Sequence, residues 1–392
     1  MTRLPRASLV AFLIVSSSAF ARQNPLAPNN PAPANGQANF PAWLRPGVRI
    51  SYNSGDSTIP NTPLALQPDG KGNWTDTAGR SFKPGVGGVG VTAIDIVDVT
   101  ADTLAADARA YMNIDTNTGE HQFMSSTGIL GTANGLTDFW IPPARLRAMR
   151  DGNENGVQIV KAPYPLNGRN IDAVSITTTQ AGYTRYVYDV ETGLMIVSSS
   201  AHKNEATNST LISHAQLIDV RPRNLPWGND PLPDWMGPNH QLDYQGVYNT
   251  IIPGVGENPW RYAISFALGE RHGNAVRVQQ SSTIDQGNGQ QPSQSQSERV
   301  FGPGGIGPIY ISPQTLARLQ PNQVIDEDAP TRSRISFVGF QNNLAFIAEQ
   351  RGTETYQFGY DTQSGVLRMI YLEQQKVGGS SLRVQLQLAN MR

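Results

Sequence analysis

The sequence predicts a mainly β protein of two tandem antiparallel meander domains, half-barrel-like, each carrying one short helix. Three observations lead there. Tyr188-Asp189-Val190-Glu191-Thr192-Gly193-Leu194-Met195 returns as Tyr360-Asp361-Thr362-Gln363-Ser364-Gly365-Val366-Leu367. In each copy an Asp that can accept bonds from turn amides and a Gly free to take positive φ lie between strand-like runs, which is a hairpin signal. The composition agrees, since 38 Gly, 28 Pro and only 16% charged residues describe a turn-rich chain rather than helical bundles. With 392 residues there is room for two or three domains, each with its own core.

The N-terminus reads as a secretory signal. Arg3 and Arg6 precede an apolar run from Leu9 to Val15, and the small residues Ala19 and Ala21 place cleavage after Ala21. The apolar run is too short to span a bilayer, so the expectation is an exported chain with no transmembrane anchor after cleavage, periplasmic or extracellular. No cysteine is present, which removes both disulfides and a lipid-attachment thiol. Residues 22–39 are rich in Pro, Asn and Ala and read as a disordered tether.

The first domain spans 40–221 and opens at Pro41-Ala42-Trp43-Leu44-Arg45-Pro46. The second, 232–392, opens at Pro233-Asp234-Trp235-Met236-Gly237-Pro238. Tyr52 and Tyr244 follow at the same spacing, and Ile59-Pro60 is echoed by Ile252-Pro253. The first copy then carries an insert over 61–90, with the loop signals Pro68-Asp69-Gly70 and Gly85-Val86-Gly87-Gly88. Residues 100–110 look helical by alanine content, but their counterparts 274–284 alternate as a strand. Leu104–Ile114 is therefore expected to be a strand, with Ala106, Ala108, Ala110, Met112 and Ile114 on one face.

Pro143 and Pro313 suit the first turn of a helix, where a missing amide costs nothing, and Ser312 suits an N-cap. The expected helices are Pro143–Arg150 and Pro313–Leu319. After the first come strands at Val157–Lys161, Ile171–Thr179, Tyr183–Asp189, Leu194–Ser200 and Leu211–Arg221. Leu382–Leu388 alternates as the matching closing strand of the second domain. The join over 222–231 is Pro-rich and reads as a stiff linker, and the low-complexity stretch Gly287–Ser297 as a mobile hairpin tip.

A net charge of −1 with a pI near 6.5 supplies no field for nucleic acid. No Cys nucleophile, Gly-x-Ser-x-Gly elbow, phosphate-binding Gly loop, His-Glu-x-x-His pair or dinucleotide fingerprint occurs, and no catalytic residue or cofactor is assigned. His121, His202, His214, His240 and His272 are scattered without ligand spacing. Asp115-Thr116-Asn117-Thr118-Gly119-Glu120 begins like a calcium loop, yet its twelfth position is Ser126, so no metal is assigned. Asp138, Asp172, Asp189, Glu191 and Asp243 could serve a glycosidase, but no spacing singles out a pair.

The aromatic residues Trp43, Trp235, Trp140 and Tyr310 hold matched places beside prolines in the two copies. They either anchor each domain entrance and pack the helix on the sheet, or line a concavity that holds an apolar, peptide or glycan ligand. The hairpins Tyr188-Asp189-Val190-Glu191-Thr192-Gly193 and Tyr360-Asp361-Thr362-Gln363-Ser364-Gly365, set in a meander behind a signal sequence, resemble the open β-barrel domains of the LolA/LolB lipoprotein carriers. That resemblance implies a half-barrel whose concave face holds an acyl chain or peptide, and it transfers no catalytic residue. The leading expectation is a non-catalytic ligand- or partner-binding protein. The alternatives are a carboxylate-dependent hydrolase of polysaccharide or peptide and a structural surface protein.

Overall fold

The computed structural model describes residues 40–60, 66–68, 74–76, 78–82, 88–115, 120–132, 139–166, 168–179, 182–204, 208–287, 289, 291–375 and 379–392. The expected signal, tether and Asp138 lie outside the described residues.

The first half contributes β1 (Val48–Pro60), β2 (Leu66–Pro68), β3 (Trp74–Asp76), β4 (Ser81–Phe82), β5 (Gly88–Val99), β6 (Thr103–Asp115) and β7 (Glu120–Thr132). Helix α1 (Pro143–Ala148) follows, and then β8 (Gly152–Glu154), β9 (Val157–Leu166), β10 (Arg169–Thr178), β11 (Tyr183–Asp189), β12 (Met195–Asn204) and β13 (Ser209–Pro222). The second half contributes β14 (Gln241–Ile252), β15 (Gly256–His272), β16 (Ala275–Asp285), β17 (Ser293–Phe301) and α2 (Pro313–Leu316). It closes with β18 (Val324–Asp328), β19 (Ser333–Gln341), β20 (Leu344–Arg351), β21 (Glu354–Asp361), β22 (Leu367–Gln375) and β23 (Ser381–Met391).

Among the described residues the chain is mainly β, with two open ten-stranded antiparallel sheets and two short helices. The strand orders are β7-β6-β5-β1-β13-β12-β11-β10-β9-β8 and β17-β16-β15-β14-β23-β22-β21-β20-β19-β18. Each sheet is therefore two meanders joined where its first long strand meets its last, β1 with β13 and β14 with β23. Within the region of the insert, β2, β3 and β4 form a small third sheet. Trp74 of β3 packs edge to face on Tyr183 at 5.8 Å, beside Ile59, Leu66, Ala201 and Ile212.

Alternation along the strands buries one face of each sheet. Ile50, Tyr52, Ile94, Ala106, Val174, Tyr188 and Ala215 gather in the first core, and Leu242, Tyr244, Val278, Phe337, Tyr360 and Leu386 in the second. A buried tyrosine is sited alike in both: Tyr52 Oη donates to Met195 O at 3.1 Å, and Tyr244 Oη to Leu367 O at 2.7 Å.

Several expectations need correcting. Both helices are shorter than expected: α1 stops at Ala148 because Met149 turns extended (ψ 146°), and after the α2 cap at Ala317 the chain continues to Leu319 in three-residue turns, Arg318 N to Thr315 O and Leu319 N to Leu316 O. The Ser312 cap is present, accepting from Thr315 N at 3.2 Å. The β ladder also extends into the low-complexity stretch, where Ser293–Ser297 pair with Gln280–Ile284 and the Ser282 and Ser295 hydroxyls meet at 2.7 Å. The join is anchored at alternate residues. Arg223, Leu225 and Trp227 are buried, Trp227 Nε1 donates to Gly305 O at 3.2 Å, and Asp230 accepts from Ser312 N and Thr315 Oγ1.

Candidate functional site

The four predicted aromatics fall into two groups, one per sheet, at the crossing of the Asp-x-x-Thr/Ser-Gly turn. Ile141 N donates to Gly193 O at 2.9 Å and Met195 N to Phe139 O at 2.9 Å, with Trp140 bridged to Leu194. In the second sheet Ile311 N donates to Gly365 O at 3.0 Å and Leu367 N to Ile309 O at 3.0 Å, with Tyr310 bridged to Val366. The crossing is so close that a Cβ on Gly193 would lie 2.1 Å from Ile141 O, and one on Gly365 2.2 Å from Ile311 O. Glycine is needed there for space as well as for its φ of 79° and 75°. The Asp carboxylates close the turns, Asp189 accepting from Glu191 N and Thr192 N, and Asp361 from Gln363 N and Ser364 N.

Trp140 is 1% exposed, its Nε1 donates to Thr192 O at 3.1 Å, and its ring lies 5.1 Å from Phe40. Trp43 is half-buried against the same core. Trp235 and Tyr310, both half-buried, meet edge to face at 6.3 Å. These rings hold the segment ahead of each helix onto its hairpin.

Other residues weighed from the sequence find local partners. Asp243 accepts from Gln241, Ser265 and Arg392. Among the described residues no group of three or more His, Asp or Glu could hold a metal ion, and Thr116–Gly119 of the calcium-like turn lie outside them. Ser199 Oγ lies 3.2 Å from His214 Nδ1, as cross-strand neighbours on β12 and β13. Burial pushes His214 below its ordinary value. A nucleophile–base pair needs an acceptor to orient its base, and the ladder partner of His214 on its other side is Gly55, which has no side chain to supply one.

The densest chemistry in the molecule is a buried ionic joint between the sheets, which the sequence reading missed. Arg221, Arg49, Asp95 and Asp107 are successive ladder partners across β13, β1, β5 and β6, on the face opposite the first core. Arg49 grips Asp95 through two bonds of 2.7 and 3.0 Å and reaches Asp328 at 3.0 Å. Arg221 grips Asp326 at 2.7 and 2.8 Å, Arg299 reaches Asp107 at 2.8 Å, and Arg109 lies between Asp107 and Glu349. Arg351 stacks on the rings of Tyr111, Phe123 and Tyr356 at 4.5 to 5.3 Å.

The charges are complementary by side. The first sheet and the join bring Arg49, Arg109, Arg221 and Arg223 against Asp95 and Asp107, while the second sheet brings Asp326, Asp328, Glu349 and Glu354 against Arg299 and Arg351. An excess of positive charge thus meets an equal excess of negative charge, so the burial cost is offset by pairing. Burial alone would push Asp95 up, but the guanidiniums of Arg223, Arg49 and Arg109 outweigh it and hold the carboxyl well below its usual range. Burial pushes Glu354 up, against the pull of Arg351 and the Phe123 amide. Beside these charges β17 lies across β7 so closely that a Cβ on Gly128 would be 2.6 Å from the Arg299 backbone.

The concave faces differ. Outward from Tyr52 on the first sheet the ladder row reads Ile159, Ile176, Tyr186, Ser198, Ala215, Ser54 and Gly90, and the next reads Thr178, Thr184, Ser200, Ser213 and Asp56. Outward from Tyr244 the corresponding rows read Phe337, Ile347, Phe358, Ile370, Leu386 and Gly246, then Glu349, Tyr356, Leu372, Val384 and Tyr248. Where the second sheet carries Leu386, Val384, Ile370 and Leu372, the first carries Ala215, Ser213, Ser198 and Ser200. In the second sheet Leu386 and Val384 are buried and Ile370 and Leu372 half-buried, and Glu349 and Tyr356 beside them lie within the joint. On the first the three serines remain half-buried.

No family model matches the sequence, and no curated protein matches it. Among solved structures the chain is similar to MucB in complex with MucA(peri), at 9% identity over 89% of this chain and 90% of that one, with a TM-score of 0.21. It is also similar to MucB alone, at 13% identity over 59% and 74% with a TM-score of 0.19. A third similarity is to the Pseudomonas aeruginosa MucA/MucB complex, at 10% identity over 86% and 87% with a TM-score of 0.18. At these scores the likeness carries no argument about this chain's fold or function.

Proposed function

We propose that this chain is an exported, non-catalytic binding protein and that the concave face of its first sheet takes the ligand. One observation carries the reading: at ladder positions where the second sheet is filled by Leu386, Val384, Ile370 and Leu372, the first has Ala215, Ser213, Ser198 and Ser200. Replacing large apolar side chains by hydroxymethyl groups on a curved sheet leaves room and supplies neutral hydrogen-bonding groups. The floor nearer the core is apolar, with Ala215, Tyr186, Ile176 and Ile159. A largely apolar surface with a few convergent polar groups suits an amphipathic ligand, such as a peptide or an acyl chain with a polar end. The ionic joint serves this by holding the second half-barrel fixed behind the first.

The test fills the face with the residues of the second sheet. Purified full chain is analysed by native mass spectrometry for co-purifying ligand, alongside the double variant Ser198→Ile, Ser213→Val. The reading expects ligand on the parent chain and its loss in the variant, with the thermal midpoint kept. Equal ligand on both proteins would overturn it.

A further inference from the structure

Both ten-stranded sheets are open, so each has two outer strands whose free edge can pair with another chain. Three of these edges are protected. On the first sheet β8 covers only the start of β9; beyond it Lys161 N donates to Asp151 Oδ1 at 2.6 Å, and the next positions on that side, Pro163 and Pro165, have no amide to offer. Edge strand β7 lies against the second sheet, where Phe123 N donates to Glu354 Oε2 at 3.3 Å. On the second sheet β18 carries the acids Asp326, Glu327 and Asp328.

The remaining edge, the start of β17, has no such guard. Ser293–Ser297 pair with β16 on one side without a bulge, and among the described residues no strand pairs them on the other. The segment contains no proline, and no charged residue occurs from Gln286 to Ser297. Its order, Ser293-Gln294-Ser295-Gln296-Ser297, reads the same in both directions. Laid antiparallel on a second copy about Ser295, it sets Ser295 against Ser295, Ser293 against Ser297 and Gln294 against Gln296. Serine and glutamine each donate and accept hydrogen bonds, so every such pair is self-complementary. The flanking charges are occupied: Glu298 pairs with Arg277 at 2.6 Å, and Asp285 accepts from Gly287 N at 2.9 Å.

We propose that the start of β17 is a dimerisation edge, on which a second copy of this chain pairs its own β17 about a two-fold axis at Ser295. Such a contact is isologous, one patch meeting itself, and it closes at two chains. An edge of like charges, such as β18, would repel its own copy. In each chain the Ser295 hydroxyl meets that of Ser282 at 2.7 Å, so the pairing runs one row of serines across the dimer. Pro292 at one end and the crossing of β7 at Arg299 at the other confine the pairing to Ser293–Ser297, about 17 Å of strand. A contact that small is weak, so the dimer forms at high protein concentration. It lies on the second sheet and stands independently of the ligand face on the first.

The test uses single cysteines in a chain that has none of its own. Ser295→Cys lies on the axis, its two copies directly opposite at a Cα separation of about 4.5–5.5 Å, within the span of a disulfide. Ser293→Cys faces Ser297 of the partner subunit, which leaves the two introduced thiols about 14 Å apart, beyond that span. On mild oxidation Ser295→Cys is expected to give a covalent dimer about tenfold or more faster than Ser293→Cys. An equal mixture of Ser293→Cys and Ser297→Cys is expected to cross-link where neither does alone. In sedimentation velocity the parent chain is expected to show a concentration-dependent dimer. The double variant Gln294→Lys, Gln296→Lys sets like charges opposite each other twice and is expected to weaken that dimer about tenfold with its thermal midpoint kept. Equal cross-linking at Ser293→Cys and Ser295→Cys would mean random collision and overturn the proposal. A parent chain monomeric at every concentration, or a dimer that the two lysines leave unchanged, would overturn it too.

Discussion

Neutralising Asp95 tests the ionic joint where it is most concentrated. The carboxylate has three guanidiniums around it, Arg49 at 2.7 Å, Arg223 at 3.3 Å and Arg109 at 3.9 Å, and neither it nor Arg49 is exposed at all. Asp95→Asn keeps the shape and removes the charge, leaving four arginines with a single carboxylate on that side of the joint. Removing one partner of a buried pair costs about 3–5 kcal/mol, because the remaining charge is stranded in a poorly solvated site. A domain holds only about 5–15 kcal/mol of net stability, so the loss is large against the total. The assay is urea unfolding at neutral pH followed by tryptophan emission, with Trp227 of the join, buried in the second core, among the probes. The control is Arg277→Ala, whose 2.6 Å pair with Glu298 is 47% and 38% exposed and is worth less than about 1 kcal/mol. If Asp95→Asn cost no more than that control, the joint would not be holding the sheets.

Three more outcomes follow. Asp95 and Asp328 are held below the usual carboxylate range, so the stability they give is full above about pH 3.9 and is lost as pH falls through their folded values. Glu354 runs the other way, its contribution being present below about pH 4.3 and lost as pH rises through its raised folded value. The thermal midpoint is expected to fall from pH 5 to pH 3, and to fall less in Asp95→Asn; equal slopes would contradict this. Gly193→Ala forces a Cβ against Ile141 O at positive φ and is expected to lower stability by about 1–3 kcal/mol in chemical unfolding, which an unchanged midpoint would refute. Tyr52→Phe removes the buried bond to Met195 O and is expected to cost about 1 kcal/mol by the same assay, with no change as the contrary result.

The turns were legible because their chemistry is local: Asp189 and Gly193 need only residues within the hairpin, and so do Asp361 and Gly365. The strand over 103–115 was legible despite its alanines because its counterpart in the second half alternates as a strand, and in the structure it pairs with β5 and β7. The joint was not. Asp107 and Arg109 alternate with Ala106, Ala108 and Ala110, a pattern identical to a strand with one face in water, and nothing local says that a second sheet covers that face. Comparing the halves could not reveal it either, because Asp95 pairs with Arg49 of β1 and Arg223 of the join, and Asp107 pairs with Arg299 of the other sheet as well as with its neighbour Arg109. The only hint was Asp95 itself, set in the run Ala93-Ile94-Asp95-Ile96-Val97, which is apolar enough to be buried on both faces. The serines of the first concave face were equally silent, since their meaning comes from ladder registers that the sequence does not print.

A first concave face roomier than the second can be probed directly with introduced thiols, because the chain has no native cysteine. Ser213→Cys and Val384→Cys place one thiol at corresponding points of the two ladders, against Asp56 in the first sheet and Tyr248 in the second. Reaction with a bulky maleimide at neutral pH is expected to be about tenfold or more faster for Ser213→Cys, since access limits attack by a thiolate. Equal rates, or the faster rate at Val384→Cys, would contradict the account.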